Sequence, residues 1–291
     1  MDSRKNILFF SGAVGWGILV MVLVIYLFFP YQKAVGMALQ NMVDGGRASV
    51  SMDGVTMKLM GIKASRLLFR PDNGTGQSAP FELSNIDVLW NPLPLVKGKL
   101  TIYSKAAAYD GTLRCTIEGV PVMGPSNPNV SVKLEHVNIG KCPEGVVPWF
   151  RSMSGILDGT IDKEVPVGKP DGQIGSFRFT VRNGEIRDLQ VKNMPRLIVP
   201  YKEIDVEGKI DGQKIAIKRL TVTGDVISMK GTGVVESGES DRVDLKLAYE
   251  VLSGAFPIQG KGLIAVSGNQ AAPVVTITFP NQEKPANGAP H

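Results

Sequence analysis

The sequence predicts a mainly β protein, a long antiparallel meander forming a curved sheet or a sandwich, preceded by one transmembrane helix and a short amphipathic helix. Three observations lead to this fold class. Residues 6–29 are apolar and carry no charge. Apolar and polar residues alternate through much of residues 47–279, which is typical of strands with one wet face. The 33 glycines and 19 prolines indicate many turns rather than long helices.

The apolar segment reads NILFFSGAVGWGILVMVLVIYLFF. As a helix it would span roughly 36 Å, enough to cross a hydrocarbon core of about 30 Å. Arg4 and Lys5 precede it and Lys33 is the next charge, a bias that places residues 1–5 in the cytoplasm and the remainder outside it. Aromatic residues follow the segment where a secretory signal would have a small-residue cleavage site, so we predict an uncleaved signal anchor.

Small residues recur four positions apart within this anchor. One pair is Ser11 and Gly15, and the other is Ala13 and Gly17. Small side chains at this spacing let two membrane helices approach closely, so they form a candidate helix–helix contact. The alternative is that glycine is simply common in membrane helices.

Residues 30–46 carry the only amphipathic helical pattern outside the anchor. Val35, Leu39, Met42 and Val43 share one stripe, and the glycines at 45 and 46 end it. The pattern predicts a juxtamembrane helix between the anchor and the sheet.

Residues 47–279 are predicted to form one β domain of roughly a dozen strands, although the loop at 164–175 offers a boundary between two lobes. The clearest strands are GTLRCTIE (111–118), NVSVKLE (129–135), SFRFTVR (176–182), EIDVEGKI (203–210) and RVDLKLAYE (242–250). Turn signals separate the strands at 71–74, 183–184, 211–212 and 236–238, and the Asn-Gly and Asp-Gly pairs at 183–184 and 211–212 predict tight hairpins. The polar, proline-rich tail at 280–291 is predicted to be disordered.

Few residues outside the membrane segment are predicted to form helices that would cover the apolar strand faces. Residues 146–153 predict one short helix, and residues 92–96 predict a turn or two. The apolar faces must therefore cover one another, or line a groove that another molecule occupies.

No motif in the chain predicts catalysis, a cofactor or a metal site. The charges are scattered despite the net charge of +5, so no nucleic-acid arm is implied. His136 continues a strand pattern, which favours a structural or solvent-facing side chain over a catalytic one. The carboxylate pairs Asp158/Asp162 and Glu203/Asp205 fall on wet strand faces or turns. We therefore expect no enzymatic activity.

The two cysteines, Cys115 and Cys142, leave two alternatives open. In an oxidising compartment they would form a disulfide, or they would remain separate thiols with one buried on a strand. Spacing alone does not show whether their Cβ atoms meet.

Three stretches, taken in order, resemble the type II secretion system protein N family (GspN) and, more distantly, the AsmA-like envelope proteins. These stretches are QKAVGMALQNMVDGGRASVSMDGVTMKLMGIKASRLLF, NIDVLWNPLPLVKGKLTIYSKAAAYDGTLRCTIEG, and SMSGILDGTID with the later KIDGQKIAIKRLTVTGDVISMKGTGVV. The likeness covers most of residues 1–279. The glycines that match the family rhythm, with an expected role in backbone geometry at turns and bulges, are Gly98, Gly111, Gly155, Gly159, Gly224, Gly231 and Gly233.

The resemblance implies a single-pass protein of the bacterial inner membrane with a periplasmic β domain. Two functions follow from it as expectations. The first is an accessory component of type II protein secretion that binds other secretion-system proteins and catalyses nothing. The alternative is an AsmA-like protein that holds envelope lipid in an apolar β groove.

Overall fold

The computed structural model describes residues 48–58, 60–71, 80–121, 127–143, 152–166, 172–189, 197–236, 241–253, 260–269 and 272–278. The predicted cytoplasmic terminus (1–5), anchor (6–29), juxtamembrane helix (30–46) and tail (280–291) lie outside these ranges. Within them, no helix has both the length and the apolar character needed to cross a bilayer.

Sixteen strands in one antiparallel sheet make up nearly all of the described chain. Their bounds are β1 Ala48–Asp53, β2 Thr56–Lys58, β3 Gly61–Pro71, β4 Phe81–Asn91, β5 Lys99–Ala108, β6 Gly111–Pro121, β7 Asn129–Asn138, β8 Ser152–Met153, β9 Ile156–Glu164, β10 Ile174–Leu189, β11 Leu197–Asp211, β12 Lys214–Thr223, β13 Ile227–Glu236, β14 Arg242–Val251, β15 Lys261–Asn269 and β16 Ala272–Thr278. Two 3₁₀ helices complete the described elements, at Leu93–Lys97 and Ile139–Lys141.

The predicted antiparallel meander is confirmed. Strands pair in chain order from β1 to β16, except that β2 pairs only with β3 and β8 only with β10. The two end strands do not pair with each other, so the structure is a single open sheet. Glu164 of β9 pairs with Ile174 of β10, so the sheet continues directly across the loop considered as a lobe boundary. The described strands number sixteen, against roughly a dozen predicted, and two of them, β2 and β8, carry too few residues to show an alternation.

The two predicted tight hairpins have different outcomes. Gly212, with φ +59°, and Gln213 form the two-residue turn between β11 and β12, as the Asp211-Gly212 signal predicts. The hairpin predicted at Asn183-Gly184 is wrong, because both residues lie inside β10.

Asn183 instead adopts a left-handed conformation, with φ +54°, within a continuous strand. Val181 is buried before it and Ile186 after it, an odd spacing that regular alternation would place on opposite faces. The left-handed residue therefore resets the alternation. A short polar side chain tolerates this backbone region, which is why an Asn-Gly pair suits both a turn and this position.

The predicted helical turn at residues 92–96 is confirmed by the 3₁₀ helix Leu93–Lys97. The short helix predicted at 146–153 is wrong for its last two residues, because Ser152 and Met153 form β8 and pair with β10. Residues 146–151 lie outside the described ranges.

The family-pattern glycines serve two purposes. Gly98 and Gly155 have φ of +68° and +132°, which fits the expected backbone role. Gly159, Gly231 and Gly233 lie in the middle of strands, opposite residues that border a register shift in the neighbouring strand, which fits the expected role at bulges. A Cβ at these glycines would also come closer than 3 Å to Phe179, Leu247 and Leu245 on the neighbouring strand. At Gly111 and Gly224 a Cβ would instead meet the backbone oxygens of Glu135 and Pro200, at 2.6 and 2.9 Å.

We expect Gly231→Val to lower the free energy of unfolding by about 1–3 kcal/mol or more, because its side chain would overlap the Lys246 carbonyl and the Leu247 side chain. Thermal unfolding of the purified full-length protein measures this effect. Gly140→Ala is the matched control, since a Cβ there meets its nearest neighbour at 3.3 Å. Equal stability of both variants would contradict the role assigned to Gly231.

Candidate functional site

The apolar face of the sheet forms one stripe that crosses eleven strands, β5 to β7 and β9 to β16. Cross-strand pairing aligns its residues in two rows, which together we call the apolar stripe. The first row is Ala106, Leu113, Leu134, Gly159, Phe179, Val206, Leu220, Gly231, Leu247, Ile264 and Ile277. The second row is Ser104, Cys115, Val132, Ile161, Phe177, Gly208, Ile217, Gly233, Leu245, Val266 and Val275.

The first row of the stripe is incompletely covered. Ala106 is buried, whereas every later member of that row is only half-buried. The second row is better covered, with Phe177 and Leu245 buried. Nothing else among the described residues adds a second layer, since the described elements are the strands themselves and two short 3₁₀ helices.

A third row lies beside the first, on the side away from the second row, and forms the closed core next to the stripe. Its members Val181, Ile204, Val222, Met229 and Tyr249 are all buried and belong to one hydrophobic cluster. Ile186, Val199 and Tyr201 join that cluster from the hairpin end of β10 and β11, beyond the phase reset at Asn183. A second cluster, Val235, Val243 and Leu245, is buried toward the other end of the strands, with Ile217 and Val266 of the second row packed against it. The apolar face is therefore packed on both sides of the first row, and the first row is its partly open part.

The sheet is long enough to accommodate an extended apolar molecule. All strands except β2 and β8 lie on the main path, which makes fourteen. At about 4.8 Å between neighbouring strands, this path extends roughly 60 Å. That length is about twice the ~30 Å thickness of a bilayer hydrocarbon core.

The opposite face of the sheet is polar and cross-linked by ion pairs. Arg182 bridges Asp158 and Glu203, each at 3.2 Å. Glu207 binds both Arg178, at 3.2 Å, and Arg219, at 3.1 Å. Exposed pairs of this kind each contribute about 0–1 kcal/mol, so their main consequence is a face that stays in water.

The other carboxylates considered for chemistry also have partners on this polar face. Asp162 accepts a hydrogen bond from Ser131 at 2.6 Å, and Asp205 accepts one from Thr180 at 2.7 Å. Both pairs lie on this wet face rather than in an apolar pocket. In the ranges that the structure describes, no cluster of three or more His, Cys, Asp or Glu side chains is arranged to hold a metal ion.

His136 faces solvent, as its place in the strand pattern predicts. It has φ +57° and lies where the pairing of β7 with β9 shifts register. Its backbone N–H donates to Asp158 Oδ1 at 2.9 Å. The residue thus shapes a β-bulge, and its exposed imidazole takes no part in the apolar rows.

Tyr201 stabilises the closed end of the apolar face, a role that the sequence did not predict. Its buried hydroxyl donates a hydrogen bond to the Ser154 carbonyl oxygen, and burial raises the pKa of this phenol. The ring lies beside Gly155 and Gly184, where any Cβ would crowd the hydroxyl. The sequence signal for this role is the presence of glycines that leave room for a tyrosine ring. Only the strand register shows that Gly155 and Gly184 lie opposite Tyr201.

Cys115 and Cys142 are both free, half-buried thiols. Cys115 lies in the second row of the stripe, four residues into β6, whereas Cys142 follows β7 near the turn at Tyr109. Four strand residues correspond to roughly 13 Å. That separation exceeds the ~4–7 Å between the Cα atoms of a disulfide. The candidate helix contact at Ser11, Ala13, Gly15 and Gly17 lies outside the described residues.

Comparisons of the chain with protein-family models, with curated proteins and with solved structures give no match. Functional inference for this chain therefore depends on the chemistry of its own sheet.

We expect both cysteines to remain free and to react slowly with iodoacetamide at neutral pH. Burial raises the pKa of both thiols, which lowers the reactive thiolate fraction. Peptide mapping under non-reducing conditions measures the pairing, and alkylation of the folded protein relative to the guanidinium-unfolded protein measures the rate. A Cys115–Cys142 linked peptide, or equal rates in both states, would contradict this expectation.

Proposed function

We propose that this protein is a membrane-anchored, extracytoplasmic binding protein that shields lipid acyl chains along its apolar stripe without catalysing a reaction. The observation that carries the proposal is the first row of the stripe, half-buried from Leu113 to Ile277 across ten strands. A row of partly exposed apolar side chains across so many strands leaves apolar area in water, which favours a binding surface.

Acyl chains fit the stripe better than a compact polar ligand does. Between Ala106 and Ile277 the first row presents no hydrogen-bond donor or acceptor from a side chain. Binding there would come from removing apolar area from water, at about 25 cal/mol per Å². Such binding is non-directional, so it suits a family of lipids that share hydrocarbon chains rather than one stereospecific substrate.

Several bulges support a curved groove rather than a flat sheet. Residues with left-handed backbone lie inside strands at Asn85, Gly119, His136 and Asn183. Register shifts accompany them in the pairings of β4 with β5, β5 with β6, and β7 with β9. Bulges bend a strand and increase its twist, and mid-strand glycines permit further bending.

The predicted anchor and the resemblance to AsmA-like proteins support the same proposal. An anchor at residues 6–29, with its N-terminus in the cytoplasm, would hold the sheet in the periplasm beside the lipids of the bacterial inner membrane. A tethered carrier of this kind would act in envelope lipid transport.

Photocrosslinking from the two faces of one strand tests the proposal. A photoreactive amino acid in place of Leu134, or of Leu247 across the sheet, should crosslink phospholipid when the full-length protein is irradiated in native membranes. The matched controls replace Lys133 and Lys246, which adjoin those positions in sequence and point to the opposite face. Mass spectrometry identifies the crosslinked lipid.

Lipid adducts at positions 134 and 247, with at least tenfold fewer at 133 and 246, are the expected outcome. Equal crosslinking from both faces, or none from the apolar face in a protein that retains its β circular dichroism, would contradict lipid binding along the stripe.

A second candidate is an accessory role in type II protein secretion through protein contacts. The observation that favours it is the pair of open sheet edges, since β1 and β16 each lack a second neighbour among the described residues. The β16 sequence APVVTIT carries no charge, whereas natural edges are commonly protected by lysine. Such an edge can accept a strand from a partner.

For this second role, Val274→Lys should abolish capture of secretion-system proteins in a pull-down, because a lysine on the edge opposes strand addition. Leu263→Lys is the control, since its side chain is comparably exposed but lies on β15, one strand inward. Unchanged capture by Val274→Lys would exclude the β16 edge as the contact.

A further inference from the structure

Two connections at one end of the sheet form an exposed apolar projection, which we call the apolar tip. It consists of Met60, Leu89, Leu93 and Val96, whose exposed fractions are 49%, 42%, 77% and 94%. Leu93 and Val96 belong to the 3₁₀ helix between β4 and β5, and Met60 belongs to the turn between β2 and β3.

The tip is held in place by backbone contacts. The Trp90 N–H donates to the Met60 carbonyl at 3.1 Å, which ties the two connections together. The Leu93 N–H donates to Asn91 Oδ1 at 3.0 Å, which fixes the start of the 3₁₀ helix. Large apolar side chains are therefore displayed on an ordered support, while the neighbouring core cluster is built from other residues.

The segment that carries Leu93 and Val96 is positively charged. Lys97 and Lys99 are exposed and form no ion pair with a described residue, and no acidic residue occurs from Leu89 to Lys99. Lys58, by contrast, is paired with Asp87 at 2.5 Å. A bilayer that contains anionic lipids has negatively charged headgroups over an apolar interior. Exposed apolar side chains beside lysines that form no ion pair with a described residue are complementary to such a surface.

The tip lies at the end of the strands away from the start of β1. Gly61, at the start of β3, pairs with Leu89 of the tip, whereas Pro71, at the other end of β3, pairs with Ala48. The chain that follows the predicted anchor thus enters the sheet at the end opposite the tip. The intervening length of β3 corresponds to roughly 33 Å.

We infer that the apolar tip docks onto an anionic lipid surface. Leu93 and Val96 enter the headgroup region, and Lys97 and Lys99 contact the lipid phosphates. This docking does not require the stripe to carry lipid, so the photocrosslinking experiment and the present one can fail separately.

Vesicle capture by the full-length protein tests this inference. The protein is placed in nanodiscs of neutral lipid and mixed with vesicles of phosphatidylcholine containing phosphatidylglycerol. Co-flotation of the nanodiscs with the vesicles measures docking. We expect the double variant Leu93→Asp/Val96→Asp to reduce capture at least tenfold, since it replaces two inserted apolar side chains by charges.

Removing the positive charge should act more weakly and in a lipid-dependent way. Lys97→Gln and Lys99→Gln should each reduce capture about fivefold with phosphatidylglycerol present and have no effect on vesicles of pure phosphatidylcholine. Leu252→Asp is the matched control, an exposed apolar residue at the opposite end of the sheet. Circular dichroism checks that each variant retains its strands, as expected for exposed positions.

Failure of the parent protein to capture vesicles would overturn the inference. Equal losses from Leu252→Asp and from the tip variants would overturn it as well, because the effect would then not be specific to the tip.

Discussion

In a β-sheet the backbone hydrogen bonds join neighbouring strands within the plane of the sheet. Strand pairing therefore leaves both faces of the sheet uncovered. In the described part of this protein every strand pairs with its neighbours, and the charged face is held by cross-strand ion pairs such as Arg182 with Asp158 and Glu203. The first row of the apolar face is only partly covered. The open stripe, the role of the glycines and the proposed ligand all follow from this imbalance.

Part of the apolar face is covered by residues of the sheet itself. Phe179 lies over Gly159, Leu247 over Gly231 and Leu245 over Gly233, so a large side chain is buried against the backbone of the next strand. This arrangement lowers the exposed apolar area without adding a second layer. Because the glycines add no side chain of their own, the sheet surface does not protrude at these positions, which is compatible with a molecule lying across the strands.

The alternation of residue types predicted much of the fold because it is a local property of an extended backbone. It identified β6, β7, β10, β11 and β14 as strands with one apolar face. The Asn183-Gly184 and Asp211-Gly212 signals had different outcomes although their chemistry is similar. Both favour left-handed backbone, and only the partner strands determine whether that residue ends a strand or resets its phase.

The sequence by itself determined that these strands have one wet and one apolar face, because side chains alternate wherever the backbone is extended. It also determined that too little helical sequence follows residue 46 to cover the apolar face. Only the tertiary structure decided that the strands form a single open sheet, that Tyr201 closes one end, and that Leu93 and Val96 project from the other. These features depend on which strands become neighbours, and such contacts join residues far apart in the chain.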